Sequence, residues 1–315
     1  MKTETGLHAA APPLAERLPA SPAAQPPKGA RLWWLAIRPR TLTIAVAPVL
    51  AGSVLAYAEL GTLSLAIVAA ALLGALAIQA GTNLYNDVAD YLKGGDQPLR
   101  QGPPRVTAMG WATPGQVKRA AFIAFAVAAG CGSYLALSGG WPILLLGLAS
   151  LLAGYAYSLG PKPIAYTPFG EAFVTAFFGL GAVGGSYFLQ AHRITQPVLA
   201  AGLALGLIAS AVLMANNYRD MEADRLAGRR TLAILSGPEI AKILYALFLV
   251  LPFALVFPPL GPAGGWMTLL LLPVAFGLVR RFSILPRGPD FNVILAATAR
   301  FELFFALLLT LGVML

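Results

Sequence analysis

From residue 38 onward the chain alternates long apolar runs with short polar breaks. The runs lie at about 38–58, 62–85, 117–138, 141–159, 169–190, 196–217, 238–258, 263–281 and 290–315. Each is close to the roughly 20 mainly apolar residues that carry a helix across a bilayer. Strands of a membrane barrel would alternate apolar and polar residues, and these runs do not. Several breaks are Pro/Gly turns, such as Gly139-Gly140-Trp141-Pro142 and Pro258-Pro259-Leu260-Gly261-Pro262. The pattern predicts an all-α integral membrane bundle of nine transmembrane helices. Residues 1–30 are rich in Ala and Pro, lack this periodicity and read as a disordered tail. They hold no apolar core followed by a cleavage site, so no signal peptide is expected. Two parts follow: a tail over 1–30 and a membrane domain over 31–315.

Composition agrees with a bilayer as solvent. Of 315 residues, 58% are hydrophobic and only 11% charged, whereas soluble domains carry about 25% charged residues. The net charge of +9 would suggest nucleic acid in a soluble protein; here its placement is topological. With the tail in the cytoplasm, one side collects Arg38, Arg40, Lys93, Arg100, Arg105, Lys118, Arg119, Lys162 and the basic residues of 219–242 and 280–287. The opposite side holds only Arg193. Lys and Arg favour cytoplasmic loops, so the N-terminus is expected inside, in the cell's inner (cytoplasmic) membrane, and the C-terminus outside. Cys131 lies in an apolar run and reads as a packing residue. His8 and His192 are far apart, which leaves no His/Cys metal site.

Two polar stretches close apolar runs with the same spelling, N-x-Y-x-D. The first is NLYNDVADYLKGGD (83–96) and the second NNYRDMEADRLAGRR (216–230). An even number of crossings separates them, so both emerge on one membrane face. Helical spacing puts Asn83, Asn86, Asp87 and Asp90 on one face, and Asn216, Asp220 and Asp224 on another. The Gly94-Gly95 turn can fold Asp96 back towards the first group. Packed carboxylates repel and raise one another's pKa, so five of them call for a cation. All-oxygen ligands suit Mg²⁺ or Ca²⁺, and the EF-hand loop spelling is absent. Arg100, Arg105, Lys162, Arg229 and Arg230 crowd the same face and would partner an anion. Carboxylates, metal, phosphate and base at the mouth of an apolar bundle describe a site for a lipid diphosphate. Its chemistry would be ionisation of the carbon–oxygen bond, with an apolar cavity shielding the allylic cation.

These stretches resemble the UbiA superfamily of membrane prenyltransferases: 83–96 is similar to its first Asp-rich motif and DMEAD (220–224) to its D-x-x-x-D motif. RPRTL (38–42), RQGPPR (100–105), GPKP (160–163) and NNYRDMEADRLAGRRTLA (216–233) resemble the branch that acts on 1,4-dihydroxy-2-naphthoate, and the likeness spans about 31–315. The resemblance implies nine helices around a central cavity, a lateral opening to lipid and Mg²⁺ held by both motifs. It implies transfer of a polyprenyl group from polyprenyl diphosphate to the naphthoate with loss of CO₂ and diphosphate, giving demethylmenaquinone. By the same likeness Asn83, Asp87, Asp90, Asp96, Asp220 and Asp224 would hold metal or diphosphate. Arg105, Lys162 and Arg229 are assigned to diphosphate on charge and loop position. Tyr157, or its neighbour Tyr155, and Glu171 are candidates for the acceptor. Two other readings stay open: another aromatic acceptor, such as 4-hydroxybenzoate or homogentisate, and an ion-coupled transporter, which would place its site nearer the midplane on broken helices.

Three features read more plainly. Gly179-Leu-Gly181-Ala-Val-Gly184 spells G-x-G-x-x-G but lies in an apolar helix with no preceding strand, so close helix packing is expected. Gly202 and Gly206 read the same way, within the bundle or between protomers. Arg300 and Glu302 lie in the ninth run and would either line the cavity or mark its cytoplasmic end.

Overall fold

A computed structural model describes residues 27–93, 101–159 and 162–315. Most of the expected tail, and Asp96, lie outside the described residues. A short helix, α1 (Ala30–Ala36), and a 3-10 turn (Pro39–Thr41) lead into α2 (Thr43–Leu60). Next come α3 (Leu65–Leu92), α4 (Pro114–Gly139) and α5 (Trp141–Ser158). The fifth span is composite: α6 (Gly170–Val174), a π-helical turn (Thr175–Gly181) and α7 (Ala182–Ala191). α8 (Gln196–Arg219) is followed by the short α9 (Met221–Leu226) and by α10 (Leu232–Val256). α11 (Gly261–Leu269), α12 (Leu272–Ile284) and α13 (Phe291–Met314) complete the chain. Among the described residues nine helices are long and apolar enough to cross a membrane, and no strand is present.

The bundle winds around α8, the most buried of the nine spans. Ala201, Ala204, Leu205, Ile208, Ala211 and Met214 are enclosed on all sides. Small residues let neighbouring backbones approach where lipid gives no hydrophobic drive for helix association. A methyl carbon at Gly179 would lie 2.3 Å from the Gly202 carbonyl oxygen and 2.6 Å from Gly206 Cα. Gly179 of the first motif therefore packs against Gly202 and Gly206 of the second inside the bundle. Outward faces carry large apolar side chains, including Leu137, Leu145, Leu152 and Phe276, as a lipid-facing surface requires.

Four elements differ from the sequence expectation. α3 runs to Leu92 rather than stopping near 85, so its polar residues sit on the helix itself. The second acidic stretch is not one continuous helix: α8 stops at Arg219, Asp220 takes φ −95° and ψ 9°, and Asp224 belongs to α9. Hydrogen bonds from Asp220 N to Asn216 O (3.1 Å) and Asp224 N to Asp220 O (2.8 Å) preserve the spacing across the break. α10 starts earlier than expected, capped by Thr231, and Gly237 at φ 77° interrupts it before Pro238. The eighth span breaks at Leu270 and Leu271. Arg300 is exposed, whereas Glu302 is fully buried and neither of its carboxylate oxygens meets a hydrogen-bond donor. Neither residue lines the cavity described below.

At the end of the bundle away from the acidic stretches, Glu59 accepts a hydrogen bond from Tyr187 and pairs with Arg193. Ser64 N donates to Gln190 Oε1 (3.0 Å) beside them. These contacts tie the α2–α3 turn to the end of α7.

Candidate active site

A cavity of about 440 Å³ runs into the bundle between α2, α3, α4, α5, the fifth span and α8. Its walls are mostly apolar, with Leu135, Ile143, Leu144, Phe177 and Val212 among them. Its polar end is built from Asn83, Asn86, Arg105, Tyr157, Asn216, Asn217, Asp220, Asp224 and Arg229. The C-terminal half of α3 and the α8–α9 break face each other across this end. The shape fits a long apolar molecule with a polar head, bound head-first at one membrane face.

Arg229 joins the two acidic stretches. Its Nη2 lies 2.6 Å from Asp90 Oδ2 and its Nη1 3.3 Å from Asp224 Oδ1. The guanidinium also sits 4.9 Å from the Tyr166 ring centroid, and the Arg229 amide donates to Asp224 O (2.9 Å). Asp90 pairs with Arg105 as well, and Arg105 Nη2 donates to Asn86 Oδ1 (3.1 Å). Asn86 in turn donates to Ser158 Oγ (3.1 Å), which fixes α5 against α3. Asp220 accepts from Arg219 Nε (3.1 Å) and Gln101 N (3.3 Å). Arg219, itself buried, reaches on to Asn292 Oδ1 (2.7 Å) and so links α8 to α13.

Burial pushes the Asp224 carboxyl up to about 6, with Arg229 opposing and the nearby Asp220 and Asp90 charges adding to the rise. Burial works against the charge of Arg229, but Asp90 and Asp224 hold its pKa above the ordinary value. Asp224 Oδ2 is buried with no hydrogen-bond partner. Among the described residues no three acids, histidines or cysteines close on one point. Mg²⁺ commonly takes only one or two carboxylates and completes its shell with waters and phosphate oxygens. The unpartnered Asp224 oxygen supplies a ligand position of the kind such an ion uses.

The expected site residues separate into groups. Asp90, Asp220, Asp224, Arg105 and Arg229 come together at the polar end. Tyr157 lines the cavity, whereas Tyr155 is exposed and tilts against Tyr85 (5.5 Å between centroids). Glu171 is buried beside the cavity, where Asn217 Nδ2 donates to its Oε1 (3.0 Å) and its Oε2 has no partner. Lys162 is exposed and does not line the cavity. Asn83 and Asp87 engage backbone instead. Asn83 Nδ2 donates to Ile37 O (2.9 Å). Asp87 accepts from Val106 N (3.0 Å), Thr107 N (3.2 Å) and the Thr107 hydroxyl. The sequence reading did not single out Asn217, Tyr166, Thr107 or Arg219 for the site. Only Asn217 and Arg219, next to residues already picked, carried a signal; Tyr166 and Thr107 join through loops that local spacing does not fold.

Together the bundle and its cavity define a polytopic membrane protein with an apolar pocket that ends in acidic and basic side chains. The chain belongs to the UbiA prenyltransferase family, whose model matches residues 45–308. It is a membrane prenyltransferase, and the transporter alternative falls away. The 1,4-dihydroxy-2-naphthoate octaprenyltransferase of Bacillus subtilis (strain 168) is 32% identical over 288 residues, covering 90% of this chain and 92% of the relative. The protein of the same name from Mycobacterium tuberculosis is 37% identical over 226 residues, covering 71% and 76%. The solved structure of a UbiA homolog from Archaeoglobus fulgidus bound to GPP and Mg²⁺ shares the fold, with a TM-score of 0.62 at 14% identity, covering 90% of this chain and 99% of that one.

Proposed function

We propose that this protein transfers a polyprenyl group from polyprenyl diphosphate to 1,4-dihydroxy-2-naphthoate, releasing CO₂ and diphosphate and giving demethylmenaquinone. The observation that carries the reading is Arg229 spanning Asp90 and Asp224 at the polar end of a long apolar cavity. Two relatives bearing the naphthoate prenyltransferase name support the choice of acceptor.

Arg105 and Arg229 are placed to bind the diphosphate, each already beside a carboxylate that keeps it charged and oriented. Asp90, Asp220 and Asp224 would hold Mg²⁺, and the family motif adds Asp96 from outside the described residues. Mg²⁺ bound there would supply Lewis-acid stabilisation of the charge that develops on the leaving diphosphate. The apolar walls exclude water from the allylic cation. Tyr157, which lines the cavity, and Glu171, buried beside it, would meet the acceptor, with the Asn217 amide fixing the Glu171 carboxylate. Attack by the ring carbon that bears the carboxylate forms the new carbon–carbon bond. Loss of CO₂ then returns the electron pair to the ring, so no base need remove a ring proton. We place the polar end, with the N-terminus, on the cytoplasmic side of the inner membrane, where naphthoate and Mg²⁺ are supplied; the basic residues at that end support this side.

Membranes containing the protein should convert polyprenyl diphosphate and 1,4-dihydroxy-2-naphthoate to the decarboxylated prenyl product only when Mg²⁺ is added. Product with 4-hydroxybenzoate or homogentisate and none with the naphthoate would overturn the acceptor assignment.

A further inference from the structure

The polar face of α3 does two kinds of work. At roughly 100° per residue, Asn83 and Asp90 lie near the middle of that face, with Asn86 at one edge and Asp87 at the other. Asp90 meets Arg105 and Arg229. Asp87 is buried and turned to the loop after α3, where three donors from Val106 and Thr107 converge on its two oxygens. Neither Asp87 nor Asp90 lines the cavity itself, but Arg105, the residue preceding that anchored pair, does. Asn83 is bonded to the turn before α2, through Ile37 O (2.9 Å) and Thr41 Oγ1 (3.4 Å). The residue in that turn, Arg38, is left-handed at φ 56° and ψ 68° and lines the cavity. A non-glycine residue pays for that conformation, and more so before a proline such as Pro39. Strain of this kind persists where surrounding contacts enforce it. Thr41 supplies those contacts with Asn83, donating to Arg38 O from both its amide (3.0 Å) and its hydroxyl (2.9 Å).

We propose that Asp87 and Asn83 are positioning residues, not metal ligands: they mount the two backbone segments that aim Arg105 and Arg38 into the cavity. This corrects the expected metal role of Asp87, whose two oxygens are already taken by three loop donors, and turns Asn83, whose amide nitrogen is spent on Ile37 O and Thr41 Oγ1, from a ligand into a mount. The first acidic stretch thus divides into a ligand position, Asp90, and two mounts. The inference rests on the diphosphate-binding reading above.

The test uses the full chain purified in detergent. Mn²⁺ binding is measured directly by electron paramagnetic resonance, and polyprenyl diphosphate binding by quenching of tryptophan fluorescence. In Asp87→Asn the new amide N–H₂ faces the loop amides, so at least one of them loses its acceptor. Polyprenyl diphosphate affinity and KM should weaken about tenfold while Mn²⁺ affinity stays within about twofold, since a mispositioned charge-assisted contact is lost but no ligand is. In Asp90→Asn, Mn²⁺ affinity itself should fall about tenfold or more. Thr107→Val should repeat the Asp87→Asn pattern more weakly, and the double variant should be no worse than Asp87→Asn alone, because both remove one interaction. Asn83→Ala should share its KM rise with Arg38→Lys and spare Mn²⁺. The proposal is overturned where Asp87→Asn or Asn83→Ala weakens Mn²⁺ binding as Asp90→Asn does, or where the Asp87 and Thr107 effects multiply. Should Asp87→Asn fail to fold, an unchanged KM in Thr107→Val overturns it. Wild-type protein that binds polyprenyl diphosphate but prenylates no acceptor would sink the functional reading and leave this one standing.

Discussion

As a proposed metal ligand, Asp224 should make metal binding sensitive to mild acid. Its carboxyl is pushed up to about 6 by burial, so at pH 7.5 it is almost wholly ionised. At pH 5 only about one in ten copies is ionised. A carboxylate must lose its proton before it can ligate a metal. Apparent Mn²⁺ affinity should therefore fall about tenfold between pH 7.5 and pH 5 through this one group. Direct Mn²⁺ titration without substrate is the suitable assay, because the diphosphate and the acceptor titrate too. Asp224→Asn should bind Mn²⁺ more weakly at pH 7.5 and lose most of the acid dependence. Folding stability moves with the opposite sign. The folded pKa lies above the ordinary carboxyl value of 3.8, so the metal-free protein gains from protonation. That gain is complete below about pH 4 and is lost as the pH rises through about 6. A shift of about two units corresponds to about 3 kcal/mol, which should show as a difference between wild type and Asp224→Asn in thermal unfolding. A wild-type Mn²⁺ affinity that changes less than about twofold over this range would refute the reasoning, as would an Asp224→Asn variant that keeps the full dependence.

Two further predictions concern the apolar parts of the bundle. Gly179→Val should lower the Tm in detergent by several degrees, because its Cβ would stand 2.3 Å from the Gly202 carbonyl oxygen and overpacking of this kind costs about 1–3 kcal/mol; an unchanged Tm would show that α8 and the π-helical turn can separate freely. Gly132 lines the cavity with nothing within 4 Å of an added Cβ, so Gly132→Phe should fold normally yet favour shorter prenyl diphosphates, read from the chain length of the product; an unchanged product profile would place the prenyl chain elsewhere.

Apolar run length alone set the nine spans, because a helix must be about 20 residues long to cross a bilayer and lipid leaves no other way to satisfy its backbone. Parity then put both acidic stretches on one face, and the structure has them facing each other. Helical spacing found Asp90 and Asp224 for the same reason: both lie on or beside regular helix, where a period of 3.6 holds. The same spacing grouped Asp87 with Asp90, although they lie about 60° apart around the helix axis. That difference sends one carboxylate to two guanidinium groups and the other to a loop. Nothing in the local spelling says which loop will pack on which edge of a helix.

Sequence by itself determined the membrane class, the number of spans and the two acidic stretches, since each follows from composition, periodicity or near-neighbour spacing, and its motifs carried the resemblance to the family. Tertiary structure alone decided that Arg229 bridges Asp90 to Asp224, that Lys162 stays outside, that Asn83 and Asp87 hold backbone, and that Gly179 meets Gly202 and Gly206. Apart from the short step from Asp224 to Arg229, those outcomes depend on contacts between residues 19 to 139 positions apart, and a side chain's partner at that range is chosen by packing, which leaves no periodic trace in the chain.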